Sequence, residues 1–337
     1  MHTRWFTCFI IIALLASSLC CGQSAPAAAS SVTAKAEAAA GGVPKGVILV
    51  KGSWWSASDT VTPLPETGQI TDGVYRNAYF GISWTLPKDW AQKYEGPPPS
   101  DMGRYVLTQI VPDDAYAGPS RGSVLFTADD LFFTPFPVSR GQELIDYTAQ
   151  HLQQVYKVER PPSEVTLGGR SFRFVAYWAP AAKLHWYVFG TQIRCHAVQI
   201  VVSSSDTKLI HDLVQDLNSI TMPPEDAFAD GDSVPVCVKD YATDKNILSR
   251  VDPVFTERRY NAIPVRVVIG KDGKVKHIHF IRAFPEQAKA IGDALNQWTF
   301  KPYLKDGLPV EVETGIQFGN AAHAADSTTA GALPRSW

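Results

Sequence analysis

An α+β fold with two regions is predicted: a larger antiparallel sheet flanked by helices, then a small strand-strand-helix-strand module. Three observations carry this. Short β-branched or alternating runs recur from Gly46 to Phe318, punctuated by Gly, Pro and Asp. Apolar residues take helical spacing over Glu143–Val155, Thr207–Ile220 and Pro285–Trp298. An acidic, turn-rich stretch, Pro223-Pro-Glu-Asp-Ala-Phe-Ala-Asp-Gly-Asp232, marks the boundary between the regions.

At the amino terminus, Met1 to Leu19 carries Arg4 and then a nearly uninterrupted apolar run from Trp5 to Ala16. Trp5 to Leu19 as a helix reaches only about 22 Å, short of the roughly 30 Å hydrocarbon core. The segment therefore reads as an export signal over residues 1–27. Two processing routes stand open: lipid attachment at Cys20 or Cys21, or ordinary cleavage at the small-x-small site Ala25-Pro-Ala27. Residues 28–45, rich in Ala, Ser, Gly and Pro without apolar periodicity, read as a tether. The formal net charge of −2 in 337 residues argues against nucleic acid as a partner.

Residues 46–222 are the larger region. Gly46 to Val50 reads as a strand, and Tyr75 to Leu86 as an alternating strand stopped by Pro87 and followed by Trp90. Tyr105–Val111 and Ser123–Ala128 are further strands. In the helix at Glu143–Val155, Leu144, Ile145, Tyr147, His151, Leu152 and Val155 face a sheet. Strands Glu164–Leu167, Arg170–Ala179, Leu184–Phe189 and Gln192–Ser203 follow, with turns at Gly168-Gly169, Pro180 and Gly190. Leu209, Ile210, Leu213, Val214 and Leu217 then form the apolar face of a last helix, N-capped by Asp206. The run Asn77 to Trp90, with Gly81 before the strand and Pro87-Lys-Asp-Trp90 after it, resembles the opening of PsbP-like extracytoplasmic domains. The resemblance implies an antiparallel sheet flanked by helices.

In residues 235–320, Val265-Arg-Val-Val-Ile269 is a strand, Gly270-Lys-Asp-Gly273 a tight turn and Lys274–Ile281 the returning strand. Pro285 opens a helix with Ala288, Ile291, Ala294, Leu295 and Trp298 on one face. A turn at Lys305-Asp-Gly307 leads to a final strand through Val310, Val312, Thr314, Ile316 and Phe318. The phrase Val265 to Val275 with Asp272-Gly273, together with Trp298-x-Phe300-x-Pro302 and Gly307-x-Pro309-Val310, resembles the TonB carboxyl-terminal family. This chain has Phe255-Thr256 where that family often has Tyr-Pro, and Ala262-Ile263 where a glycine usually precedes the first strand. The resemblance implies a binding module whose last strand, Val310 to Phe318, receives a partner peptide on its open edge. The alternative is an edge covered by the rest of the chain or by a second copy. Residues 321–337 read as a tail.

Beyond the signal only Cys195 and Cys237 remain. They pair and tie the two regions together, or stay two buried thiols; spacing does not choose. His185 and His196 would face each other across a turn near Gly190-Thr191, but two ligands fall short of what zinc takes. His277 and His279 share one strand face and raise the same question. Asp129-Asp130 reads as a turn or cap, and Ser203 to Ser205 lacks a nucleophile elbow and a base. Trp54, Trp55, Trp84, Trp90, Trp178 and Trp186 are core or groove aromatics. With no catalytic, metal or cofactor constellation legible, the expectation is a non-enzymatic exported protein of a Gram-negative envelope. Its partner is expected to be a periplasmic or outer-membrane protein such as a receptor. The alternatives are an energy transducer kept in the inner membrane by its amino terminus, and an extracytoplasmic small-ligand binder.

Overall fold

The computed structural model describes residues 47–49, 57–59, 65, 68–94, 102–114, 121–152, 154–224, 235–256 and 261–319. The export signal with Cys20 and Cys21, the tether, Trp54 and Trp55, residues 225–234 and the tail lie outside the described residues. Gly41–Trp337 clusters as one compact unit. No helix among the described residues is long and apolar enough to cross a membrane.

Val47–Leu49 (β1) and Ala57–Asp59 (β2) pair antiparallel. Gln69–Thr71 (β3), Val74–Asn77 (β4) and Ile82–Thr85 (β5) form a small antiparallel sheet. Asp72 and Gly73 join β3 to β4 with φ of 53° and 69°, the positive values that a two-residue mirror-image turn requires. The run from Tyr75 to Leu86, expected as one strand, is a hairpin. Asn77 Oδ1 accepts the Phe80 N–H at 3.0 Å, and Gly81 turns the chain at φ 64°. Tyr75, Phe80, Ile82 and Trp84 nevertheless reach one core.

Trp90–Tyr94 (β6), Arg104–Pro112 (β7), Ser123–Asp130 (β8), Lys157–Leu167 (β9), Arg170–Ala179 (β10), Leu184–Ile193 (β11) and His196–Ser204 (β12) make a seven-stranded antiparallel sheet in the order β6-β7-β8-β12-β11-β10-β9. Helix α1 (Glu143–His151) packs on β9 to β11, and α2 (Thr207–Asp216) on β12. Asp206 Oδ1 caps α2 by accepting the Lys208 and Leu209 N–H groups. Ile210 and Leu213 of α2 share a core with Trp84, Phe126, Phe172 and Ile200; each such side chain contributes about 1.5–3 kcal/mol on burial.

The expected turn at Gly190-Thr191 is not there. β11 runs through Gly190 and the chain turns at Arg194 and Cys195, with Arg194 at φ 53°. Gly190 serves close packing instead, because a Cβ on it would stand 2.5 Å from Cγ1 of Ile145 on α1. His185 consequently lies opposite Ser204 and His196 opposite Ile193, at the two ends of the hairpin.

Val236–Cys237 (β13) and Ile247–Ser249 (β14) precede Ile263–Ile269 (β15), Val275–Phe280 (β16) and helix α3 (Pro285–Leu295). Thr299–Phe300 (β17), Tyr303–Lys305 (β18), Leu308–Val310 (β19) and Val312–Phe318 (β20) follow. The larger C-terminal sheet has the order β1-β2-β16-β15-β20-β13. β1 and β2, expected in the larger region, therefore extend the C-terminal sheet. One sheet face packs on α3 through Val265, Val267, Ile291, Leu295 and Trp298. The other faces the larger region, where a Cβ on Gly315 would stand 2.6 Å from Cβ of Phe132.

The family-like phrases are contacts within this module. Gly273 has φ 79°, and a Cβ there would lie 2.0 Å from the Phe300 carbonyl oxygen, while Phe300 N donates to Gly273 O at 2.7 Å. Asp272 Oδ1 accepts the Lys274 N–H within the same turn. The Asp-Gly turn and the Trp-x-Phe-x-Pro phrase are thus two sides of one backbone approach that only glycine permits. Trp298 Nε1 donates to Val251 O at 2.7 Å. Pro302 leads into the β18–β19 hairpin, whose turn is Asp306-Gly307 and in which Pro309 sits opposite Leu304.

Candidate functional site

The predicted edge residues divide. Val310 belongs to the β18–β19 hairpin, not to the last strand. Val312 and Thr314 are fully buried, Phe318 is buried and Ile316 half-buried. β20 pairs with β15 from Ile263↔Phe318 to Ile269↔Val312. Its other side is not an open edge over its first residues: β13 lies parallel to it at Val236↔Val312 and Cys237↔Glu313. Val236 N donates to Glu311 O and Val238 N to Glu313 O. Strand geometry turns the backbone groups of alternate residues to the same side, so Gly315 and Gln317 present theirs on this side too. Among the described residues no strand pairs with them, and Gln317 is exposed. The candidate edge is therefore Gly315–Phe318, roughly half of what the alternation predicted.

Beneath this edge is a buried charged cluster that the sequence did not disclose. Arg266 on β15 is 1% exposed and Asp130 at the end of β8 is 0% exposed. Arg266 Nη1 lies 3.2 Å from Asp130 Oδ2, and its Nη2 donates to Glu313 Oε1 at 2.7 Å. Burial pushes the Asp130 carboxyl up to about 6, only partly countered by Arg266 and the Phe132 N–H. Burial opposes the charge on Arg266, but Asp130 and Glu313 outweigh it and hold the guanidinium charged. His196 is kept well below its ordinary value by burial and then by Arg266. It is therefore neutral, accepts from Arg266 Nη1 at 2.6 Å through Nε2, and makes no ion pair with Asp130 3.8 Å away. Of the two residues expected as a turn or cap, Asp130 caps the turn through the Phe132 N–H, while Asp129 takes Arg104.

Cys195 and Cys237 form a disulfide that joins the β11–β12 turn to β13. Cys195 is buried, and its Sγ lies 3.3 Å from Glu313 Oε2. Cys237 is half-buried and, with Val236, lines a cleft of about 710 Å³ whose other walls include Arg140, Arg173, Gln192, Arg194 and Lys305. Arg173 is paired with Asp146 in that cleft.

Among the described residues no three His, Cys, Asp or Glu side chains are grouped to hold a metal. His185 pairs with Glu159, His151 Nδ1 meets the Tyr147 carbonyl, and His279 is buried on β16. Trp84 is core, whereas Trp90, Trp178 and Trp186 are half-buried.

No family model matches the sequence, and no curated protein matches it. Solved structures similar to this chain include the following two. One is LpqN, involved in cell envelope biogenesis of Mycobacterium tuberculosis, at 13% identity and TM-score 0.31 over 42% of this chain and 83% of that one. The other is cyanobacterial PsbP (CyanoP) from Synechocystis sp. PCC 6803, at 11% identity and TM-score 0.31 over 48% of this chain and 99% of that one. Neither carries the TonB-like reading of residues 235–320.

What sequence reasoning missed has one cause. Asp130, Arg266 and Glu313 lie far apart in the chain, and each alone reads as an ordinary turn or strand charge. The one available signal was that Arg266 interrupts an otherwise apolar strand, Val265 to Ile269, buried along its whole length.

Proposed function

We propose that this is a non-enzymatic exported envelope protein whose TonB-like C-terminal module binds an extended segment of a protein partner on the outer edge of β20. The observation that carries the reading is the row of backbone groups at Gly315 and Gln317, turned away from β15 and unpaired by any strand among the described residues. An extended peptide completes its hydrogen bonds there without needing a catalytic group. A periplasmic or outer-membrane protein fits this role. In-cell photo-crosslinking from a probe at Gln317 tests it, since Val312 and Thr314 are buried. Capture of a discrete envelope protein from Gln317, and not from a probe at the exposed Glu164 on the β9 edge, supports strand addition; equal capture from both positions would sink it.

The cleft beside Cys237 favours a second reading, an extracytoplasmic small-ligand binder. A ligand that raises the melting temperature, and fails to do so in Arg173→Ala, would favour this reading over the first.

A further inference from the structure

We infer that β13 is a removable cover on the β20 edge, and that the Cys195–Cys237 disulfide is the catch that keeps it closed. This rests on the edge-binding reading above and adds its regulation.

β13 is two residues long and, among the described residues, meets β20 through the Val236 N–Glu311 O and Val238 N–Glu313 O hydrogen bonds, 2.9 and 3.0 Å, and the Glu313 N to Val236 O bond that the parallel register places between them. Thr314 Oγ1 also donates to Lys239 O at 3.1 Å. So short a ladder does not hold a strand in place by itself. The covalent link to the β11–β12 turn does hold it, because Cys195 is fixed by a hairpin buried in the larger region. With β13 in place the carbonyls of Glu311 and Glu313 are taken, and a partner finds only Gly315 and Gln317. With β13 released, Glu311, Glu313, Gly315 and Gln317 offer one continuous row of backbone groups. That is long enough for a strand of ordinary length.

The bond is placed so that an external dithiol can open it. Cys237 lines the open cleft and Cys195 is buried, so an attacking thiolate reaches the Cys237 sulfur first. The same cleft is lined by Arg140, Arg170, Arg173, Arg194 and Lys305 against Glu143, Asp146 and Glu164, an excess of cationic residues that favours an approaching thiolate. Attack forms a mixed disulfide with Cys237 and expels Cys195 as a thiolate, which takes the proton that the attacking thiol released. The second thiol of the reductant then displaces Cys237, which is protonated in turn. The dithiol is oxidised to a disulfide, and the protein gains two S–H groups for one S–S bond. The freed Cys195 thiol has an acceptor at hand, Glu313 Oε2, 3.3 Å from its sulfur. The natural reductant would be an exported dithiol oxidoreductase; dithiothreitol is the probe.

Hydrogen exchange on the full exported protein, oxidised and after dithiothreitol, reads the cover directly. The Val236 and Val238 amides are expected to exchange about tenfold faster or more on reduction, and to recover on reoxidation, while amides of β12 keep their protection. Unchanged exchange at Val236 and Val238 would overturn the proposal, as would loss of protection throughout β12. Photo-crosslinking from Gln317 is run in parallel on the wild type and on Cys237→Ser, with capture expected to rise several-fold in the variant. Faster exchange on reduction with no capture in either form would instead overturn the edge-binding reading beneath it. Should Cys237→Ser not accumulate, capture before and after reduction of the wild type gives the same discrimination.

Discussion

Two sheet edges of this molecule are guarded in different ways. The outer edge of β9 runs for eleven residues, most of them exposed. Its guards are its own: Pro161 and Pro162 lack N–H groups, and Lys157, Glu159, Arg160 and Glu164 put charge along it. The edge of β20 has no prolines and almost no exposed charge. It is covered over its first residues by β13, brought from elsewhere in the chain and held by a disulfide. The difference teaches that protection written into a strand is permanent, whereas protection supplied by a distant segment can be withdrawn. A strand meant to receive a partner has use for the second kind.

The largest expected effect tests what seats β20. Arg266→Met leaves Asp130 and Glu313 buried without their cation and is expected to cost about 3–5 kcal/mol, read from the urea midpoint. Unchanged stability would mean that apolar contacts alone seat the C-terminal sheet on the larger region, and that β20 is as self-sufficient as β9.

A second test uses pH. The folded-state carboxyl of Asp130 is raised from 3.8 to about 6, chiefly by burial. Between those values the folded protein keeps a proton that the unfolded chain has released. The stability contributed by this group is therefore full below its unfolded value and lost as pH rises through about 6. Asp130→Asn abolishes that titration, so the variant's unfolding free energy is expected to change less between pH 4 and 7 than the wild type's. Parallel curves would remove Asp130 from the account.

The smallest effect on stability, and the clearest for the comparison, is at β9. Replacing Pro161 and Pro162 by Val restores two N–H donors, of which strand alternation turns one to the exposed edge. It is expected to promote self-association, visible by sedimentation, with little change in the unfolding midpoint. A monomeric variant would mean that charge alone guards this edge.

Locally encoded features were legible in the sequence. Gly270 to Gly273 carried its turn, Pro285 its helix start and Asp206 its cap, because each depends on neighbours within a few residues. Gly190 misled, since a glycine that admits a helix side chain reads the same as one that turns a strand. The last strand was found, but its cover was not: a two-residue parallel pairing of Val236-Cys237 with Val312-Glu313 leaves no periodicity to detect. The seam cluster was hidden for the same reason, its members meeting only once the sheets are stacked.

The pairing of β2 with β16 bears on how the chain reaches this state. Ala57 meets Phe280 and Ser58 meets His279, so the C-terminal sheet draws on segments about 220 residues apart. Bringing such ends together costs about 3 kcal/mol more in chain entropy than closing the five-residue loop between β15 and β16. During synthesis β1 and β2 emerge together and can pair with each other, but β16, the other neighbour of β2, emerges only after the whole of the larger region. Until then the side of β2 that β16 will cover stays open, the interval in which a chaperone would have the most to hold.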